Sequence, residues 1–191
     1  MTASPPPQFR YRRATGDERD ILRAMYILTD QWGDESRPVS EGIDEELAAY
    51  VDAWTPQQPG VILERVPGDD SAEDSAPDSA ADSGDVPTAV GAAWLRTFTS
   101  EAPGAGFVSD DYPEVAIALH PEVSGHGRGT ALMQEMLRVA REEGFPGVSL
   151  AVDVGNDRAR HVYRKLGYVD STVNGGYDPS GSCHVMVYRF D

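Results

Sequence analysis

Cysteine is nearly absent: Cys183 is the only one in 191 residues, which excludes a disulfide within the chain. No apolar run approaches the roughly 20 residues that cross a bilayer, and no basic-then-apolar stretch opens the sequence. No repeat recurs along it. Cations are scarce as well, with 16 Lys and Arg against 32 Asp and Glu and a formal net charge of −16. Binding to a phosphate backbone needs a basic footprint, so nucleic acid is excluded as a partner, while a cationic acceptor is mildly favoured. These absences predict a soluble, cytoplasmic protein without membrane attachment. The length suits one domain with a real core and is short for two, so residues 1–191 are expected to form a single domain.

Residues 67–87 contain only Pro, Gly, Ser, Ala, acids and Val86, a composition that buries too little surface to order itself. A disordered acidic insertion over 68–86 is therefore predicted. It separates residues 60–66 from 88–97, two segments that read as antiparallel neighbours joined by an expanded hairpin loop. Upstream, Phe9 to Arg13 reads as a strand and Asp17 to Thr29 as a helix buried through Ile21, Leu22, Met25 and Leu28. A second helix is predicted over 40–54, with Ile43, Leu47, Tyr50, Val51 and Trp54 on one face. After Tyr168 the chain is predicted to continue as a strand and a turn through 174–181, and the last strand, Cys183 to Phe190, alternates in a way that predicts one buried face.

Residues 119–130 read Leu-His-Pro-Glu-Val-Ser-Gly-His-Gly-Arg-Gly-Thr, with alternate glycines where an apolar strand (113–120) gives way to an amphipathic helix (129–143). Gly125, Gly127 and Gly129 let backbone N–H groups converge without Cβ interference, and the helix adds its unpaired N-terminal donors, so a phosphate or pyrophosphate is the expected guest. Charge is distributed accordingly. Between 121 and 167 seven cations face six anions, a net of +1, which leaves −17 for the rest of the chain. A dinucleotide-binding fingerprint is a poor match, because the third glycine arrives one residue early and deep in the chain.

The next motif is Asn156-Asp-Arg-Ala-Arg-His-Val-Tyr-Arg-Lys-Leu-Gly-Tyr168, after the apolar run Val148 to Val152. Asn156 is a natural N-cap, Ala159, Val162, Tyr163 and Leu166 form a stripe, and Gly167 is a natural stop. Together the two motifs resemble the cofactor half of the GNAT superfamily of acetyl-CoA-dependent N-acyltransferases. The family's Gln/Arg-x-x-Gly-x-Gly/Ala falls on Ser124 to Gly129, with both glycines matched and Ser124 in place of the long polar residue.

The resemblance implies an α/β (α+β, GNAT-like) fold with a central mixed, mostly antiparallel sheet of about six to seven strands flanked by about four helices. It implies acetyl-CoA as co-substrate, no metal, and a small-molecule or peptide amine as acceptor, and it leaves a homodimer open. The cofactor would be bound by Ile117, Ala118 and Leu119, by the Ser124, Gly125, His126, Gly127, Arg128, Gly129 and Thr130 loop, and by Asn156. The strand of Ile117 to Leu119 and the strand of Val148 to Val152 would run parallel and then diverge around the pantetheine arm.

An amine of pKa about 10.4 is neutral in only about one molecule in a thousand at pH 7.4, a deficit of about 4 kcal/mol, so a proton exit is needed. By the resemblance Glu114 is the first candidate for the base, with Asp153 and His120 in reserve, while Asp110 and Asp111 read as turn residues. Tyr163, seven residues after Asn156, corresponds to the family's general acid. Trp32, Asp34 and Glu35 are candidate acceptor-side residues. A GNAT-fold module that holds an acyl-CoA without turning it over is the rival reading.

Overall fold

The computed structural model describes residues 8–66 and 87–191, so the acidic insertion predicted over 68–86 lies outside the described residues. Seven strands pair into one sheet: β1 (Gln8–Arg13), β2 (Gly60–Val66), β3 (Thr88–Arg96), β4 (Glu114–Leu119), β5 (Gly147–Asp153), β6 (Val169–Asp170) and β7 (Cys183–Arg189). Their order is β1-β2-β3-β4-β5-β7-β6, with every pairing antiparallel except β4 to β5. Four α-helices accompany the sheet among the described residues: α1 (Arg19–Asp30), α2 (Ile43–Leu47), α3 (Arg128–Glu142) and α4 (Asp157–Leu166). The mixed, mostly antiparallel sheet and its four helices agree with the architecture expected from sequence.

Strand periodicity divides the core between the two faces of the sheet. Val61, Leu63, Val115 and Leu150 pack with Leu132, Met133 and Met136 of α3 on one face. Ile62, Trp94, Ala116 and Ala118 pack with Leu22, Met25 and Tyr26 of α1 and with Leu47, Tyr50 and Val51 on the other. Glu114, two residues from Ala116, shares the α1 face. Each fully buried Leu, Ile or Met contributes about 1.5–3 kcal/mol, so the sheet is held from both sides.

Three elements differ from expectation. The second helix begins at Ile43, makes one α turn, and continues as a π-helical turn at Ala48–Asp52. Side chains of neighbouring elements take the carbonyls of that turn, which favours the wider winding over a continuous α-helix. The strand after Tyr168 has only two residues, Val169–Asp170. β7 is buried on both faces from His184 to Val187: Met186 joins the α3-side core and the His184 ring lies 4.8 Å from Tyr177, while Val185 and Val187, on the opposite face by alternation, are buried as well.

Candidate active site

β4 and β5 share one register pair, Glu114 with Ser149, fixed by the Ser149 N–H donating to Pro113 O at 2.9 Å. Past that pair the two strands part. The His120 N–H donates to Val90 O on β3 at 2.8 Å, and alternation along the strand therefore turns the Leu119 N–H away from β3, toward the gap. A cleft of about 440 Å³ opens there. Ile117, Ala118, Leu119, Ser124, Gly125, Gly127, Gly129, Thr130, Asn156, Tyr163 and Trp32 all line it, so most residues singled out from sequence meet in one place.

The loop at the mouth has the geometry its glycines allow. Gly125 and Gly127 adopt φ of +82° and +75°, the left-handed region that L side chains rarely enter, and Gly127 is the N-cap of α3. A Cβ at either would meet nothing within 4 Å, so the space before these amides is open. Gly129 lies within the helix, where a Cβ would meet Leu119 Cδ1 at an ordinary 3.4 Å. The flanking side chains turn elsewhere. The Arg128 guanidinium stacks over Phe9 at 4.1 Å and donates to Val123 O, which leaves only its main chain facing the loop. His126 is exposed, engages Ser124 O through Nδ1, and lies outside the cleft lining.

Asn156 caps α4 by accepting the Ala159 N–H at 3.2 Å, and Gly167 closes the helix at φ +105°. Arg158, in the first turn, is the only charged side chain lining the cleft among the described residues. Arg160 and Arg164 pair instead with Asp170 at 3.0 and 2.7 Å. Tyr163 is half-buried and its ring tilts against Tyr168 at 5.8 Å. Burial raises its hydroxyl to about 12, so it is fully protonated at neutral pH.

Glu114 lies beside this cleft, not along it. It is 3% exposed, and its Oε1 accepts the Tyr50 hydroxyl at 2.7 Å. Oε2 is buried and takes no hydrogen bond; the Gly106 amide is near enough to favour the ionised carboxyl without reaching hydrogen-bond geometry. Desolvation outweighs the Tyr50 hydrogen bond and lifts the carboxyl to about 7. The loop before β4 closes over it at two glycines. A Cβ at Gly104 would overlap Oε2, and one at Gly106 would lie 2.6 Å from Leu150 C and 2.8 Å from the Glu114 carboxyl carbon. Tyr50, Gly104 and Gly106 were not legible as site residues: the glycines lie ten and eight residues before Glu114, and Tyr50 lies 64 before it.

Of the reserve bases, Asp153 is engaged, whereas the buried Nδ1 of His120 takes no hydrogen bond. Asp153 accepts from Trp32 Nε1 and, at 3.2 Å, from the Cys183 thiol, while His120 faces Glu122 at 3.8 Å. Asp110 accepts the Ser100 N–H, a turn role as expected. Trp32, at φ +56°, is stacked by Arg37 at 3.8 Å and thus joins the end of α1 to the end of β5. Asp34 and Glu35 are exposed beyond the cleft, and Asp34 is occupied by the Ser36 N–H and hydroxyl.

A model of the acetyltransferase (GNAT) family matches residues 10–168. A curated relative, a mycothiol acetyltransferase of Nocardiopsis dassonvillei, is 37% identical over 89 residues, 45% of this chain and 26% of that protein. The chain spans little more than a quarter of the length of the curated relatives it matches. Among solved structures, the PaiA N-acetyltransferase of Thermoplasma acidophilum in complex with coenzyme A superposes with a TM-score of 0.59 at 15% identity, over 96% of this chain and 99% of that one. A GNAT family acetyltransferase of Brucella melitensis in complex with acetyl-CoA gives 0.54 at 14% identity, over 96% and 89%.

Proposed function

Because the chain belongs to the GNAT family of acetyltransferases, we propose that it moves an acetyl group from acetyl-CoA to a primary amine by direct attack, with no acyl-enzyme step. The observation that carries this reading is the parting of β4 from β5 just past the Glu114–Ser149 pair, above a cleft that ends at the Gly125 and Gly127 turn. Two strands that no longer bond each other offer main-chain groups to a peptide-like pantetheine arm. The amides of the glycine loop and the first turn of α3 fit a pyrophosphate, and Arg158 adds an unpaired positive charge.

Acetyl-CoA supplies the activated thioester; the chain's own residues do the rest. The Leu119 N–H is directed where negative charge develops on the thioester oxygen, the kind of preorganised donor that is often the largest catalytic term. Glu114, held near neutral pKa, accepts the proton of the attacking amine. Tyr163 donates to the leaving sulfur. Complete transfer from a phenol of pKa about 12 to a thiolate near 8.5 is uphill by about 3.5 pH units, about 5 kcal/mol. Its hydroxyl therefore acts chiefly as a hydrogen-bond donor. The net charge of −16 supports a cationic acceptor, a small-molecule or peptide amine.

Tyr163→Phe tests the assignment, because it keeps the ring and removes only the donor. Turnover with acetyl-CoA and the best of a panel of primary amines should fall at least about tenfold, with acetyl-CoA affinity and Tm nearly unchanged. Normal turnover with lowered Tm would make the hydroxyl structural. The enclosure of Glu114 by Gly104 and Gly106 favours a second reading, binding of an acyl-CoA without turnover. An acetyl-CoA-induced rise in Tm with no thioester consumption across the panel would establish that second reading.

A further inference from the structure

The π-helical turn at Ala48–Asp52 is pinned by three side chains, two from β3 and one from α1. Arg96 Nε donates to Ala49 O at 2.7 Å, Trp94 Nε1 to Tyr50 O at 2.8 Å, and Arg19 Nη1 to Val51 O at 2.8 Å and to Asp52 O. The Ala53 N–H reaches back five residues to Ala48 O at 3.0 Å. Single π turns inside helices are uncommon and often sit at functional sites, where the extra residue re-aims a side chain. Here the re-aimed side chain is Tyr50. Its ring lies between Tyr26, stacked at 5.1 Å, and the edge of Phe98 at 5.1 Å. Its hydroxyl accepts the Ala105 N–H at 3.0 Å and donates to Glu114 Oε1 at 2.7 Å. With both roles of the hydroxyl used, the direction of its proton is fixed.

We propose that Tyr50 is a positioning residue of the base: by holding Oε1 from a fixed turn, it leaves Oε2 as the one oxygen free to take the amine's proton. The inference rests on Glu114 being that base. As the C–N bond forms and the C–S bond breaks, the sulfur keeps the bonding electron pair. The proton passes from nitrogen to Oε2 by way of water, since Oε2 is buried beside the cleft, and leaves a neutral carboxylic acid still bonded at Oε1. The groups facing this carboxyl are Tyr50 from the π turn, Glu46 from α2, Tyr26 behind Tyr50 on α1, and Arg96, its register partner on β3. β5 presents the uncharged Ser149, and the loop before β4 presents Gly104 and Gly106. Arg96 and Tyr50 favour the ionised form and Glu46 opposes it.

The test is a ¹³C-NMR titration of the Glu114 carboxyl carbon in the full chain, assigned by its loss in Glu114→Gln. Tyr50→Phe removes a donor to the ionised form, so the midpoint should rise above the parent value by about half a pH unit or more. Should that variant fail to fold, 3-fluorotyrosine incorporated at position 50 keeps the ring and hydroxyl. Its more acidic phenol donates a stronger bond and should move the midpoint the opposite way, to lower pH. A carboxyl indifferent to position 50 overturns the inference. The acid limb of kcat/KM, measured with acetyl-CoA and the best amine of the panel, should follow each midpoint. Midpoints that move while the limb stays put would instead overturn Glu114 as the base.

Discussion

A buried carboxyl is cheaper to keep as the acid than as the anion, and that asymmetry sets what Glu114 can do and what it costs. Its pKa rises from an ordinary 4.5 to about 7, because desolvation exceeds the help from Tyr50 and Arg96. A carboxyl whose folded pKa lies above its unfolded value imposes no penalty below about pH 4.5. The penalty then grows with rising pH and is complete above pH 7, at about 3 kcal/mol for this shift. Glu114→Gln keeps an acceptor for the Tyr50 hydroxyl and removes the charge. Denaturant melts should therefore find the variant more stable than the parent at pH 8 and no more stable at pH 4, while turnover falls at least about a hundredfold. Equal stability differences at both pH values would show that the parent carboxyl is not desolvated.

The glycine loop and α3 act as one element, and their backbone angles rank the glycines in a way that spacing alone does not. Gly127, at φ +75°, is the N-cap itself, whereas Gly129 is an ordinary helical residue with 3.4 Å of room before Leu119. Gly127→Val places a β-branched residue in the left-handed region, at a cost of about 1–3 kcal/mol. It should abolish the acetyl-CoA-induced rise in Tm, while Gly129→Ala should retain most of it; a full rise in a folded Gly127→Val variant would remove this loop from the cofactor site. The loop and α4 were legible because their signals are local. Strand, alternate glycines, helix, Asn156 cap and Gly167 stop all lie within 55 residues. What stayed hidden joins distant segments. Tyr50 meets Glu114 across 64 positions, and the helical pattern that marked Tyr50 as buried could not show that donors from Arg19, Trp94 and Arg96 widen its turn. Trp32 was singled out beside Asp34 and Glu35, but only Trp32 reaches the cleft, through its contact with Asp153.

Across the whole molecule, the acidic segment and the cofactor reading pull against each other electrostatically. Residues 68–85 carry seven acids, so deleting them changes the formal net charge from −16 to −9. The β2–β3 pairing does not need them for register, since Arg65 already faces Thr88 on the far side of the connection. Deletion leaves residues 66, 67, 86 and 87 to join the strands, a length common in hairpins, and shortening the loop lowers its closure cost by about 1–2 kcal/mol. The shortened chain should therefore melt no lower than the parent. It should also bind acetyl-CoA more tightly at low ionic strength, because a polyanion meets less repulsion, with the advantage shrinking as salt approaches about 0.5 M. Isothermal titration at two salt concentrations measures this directly. A lower Tm would mean that the segment packs against the core, and an affinity gain insensitive to salt would mean that it obstructs the cleft sterically and not through its charge.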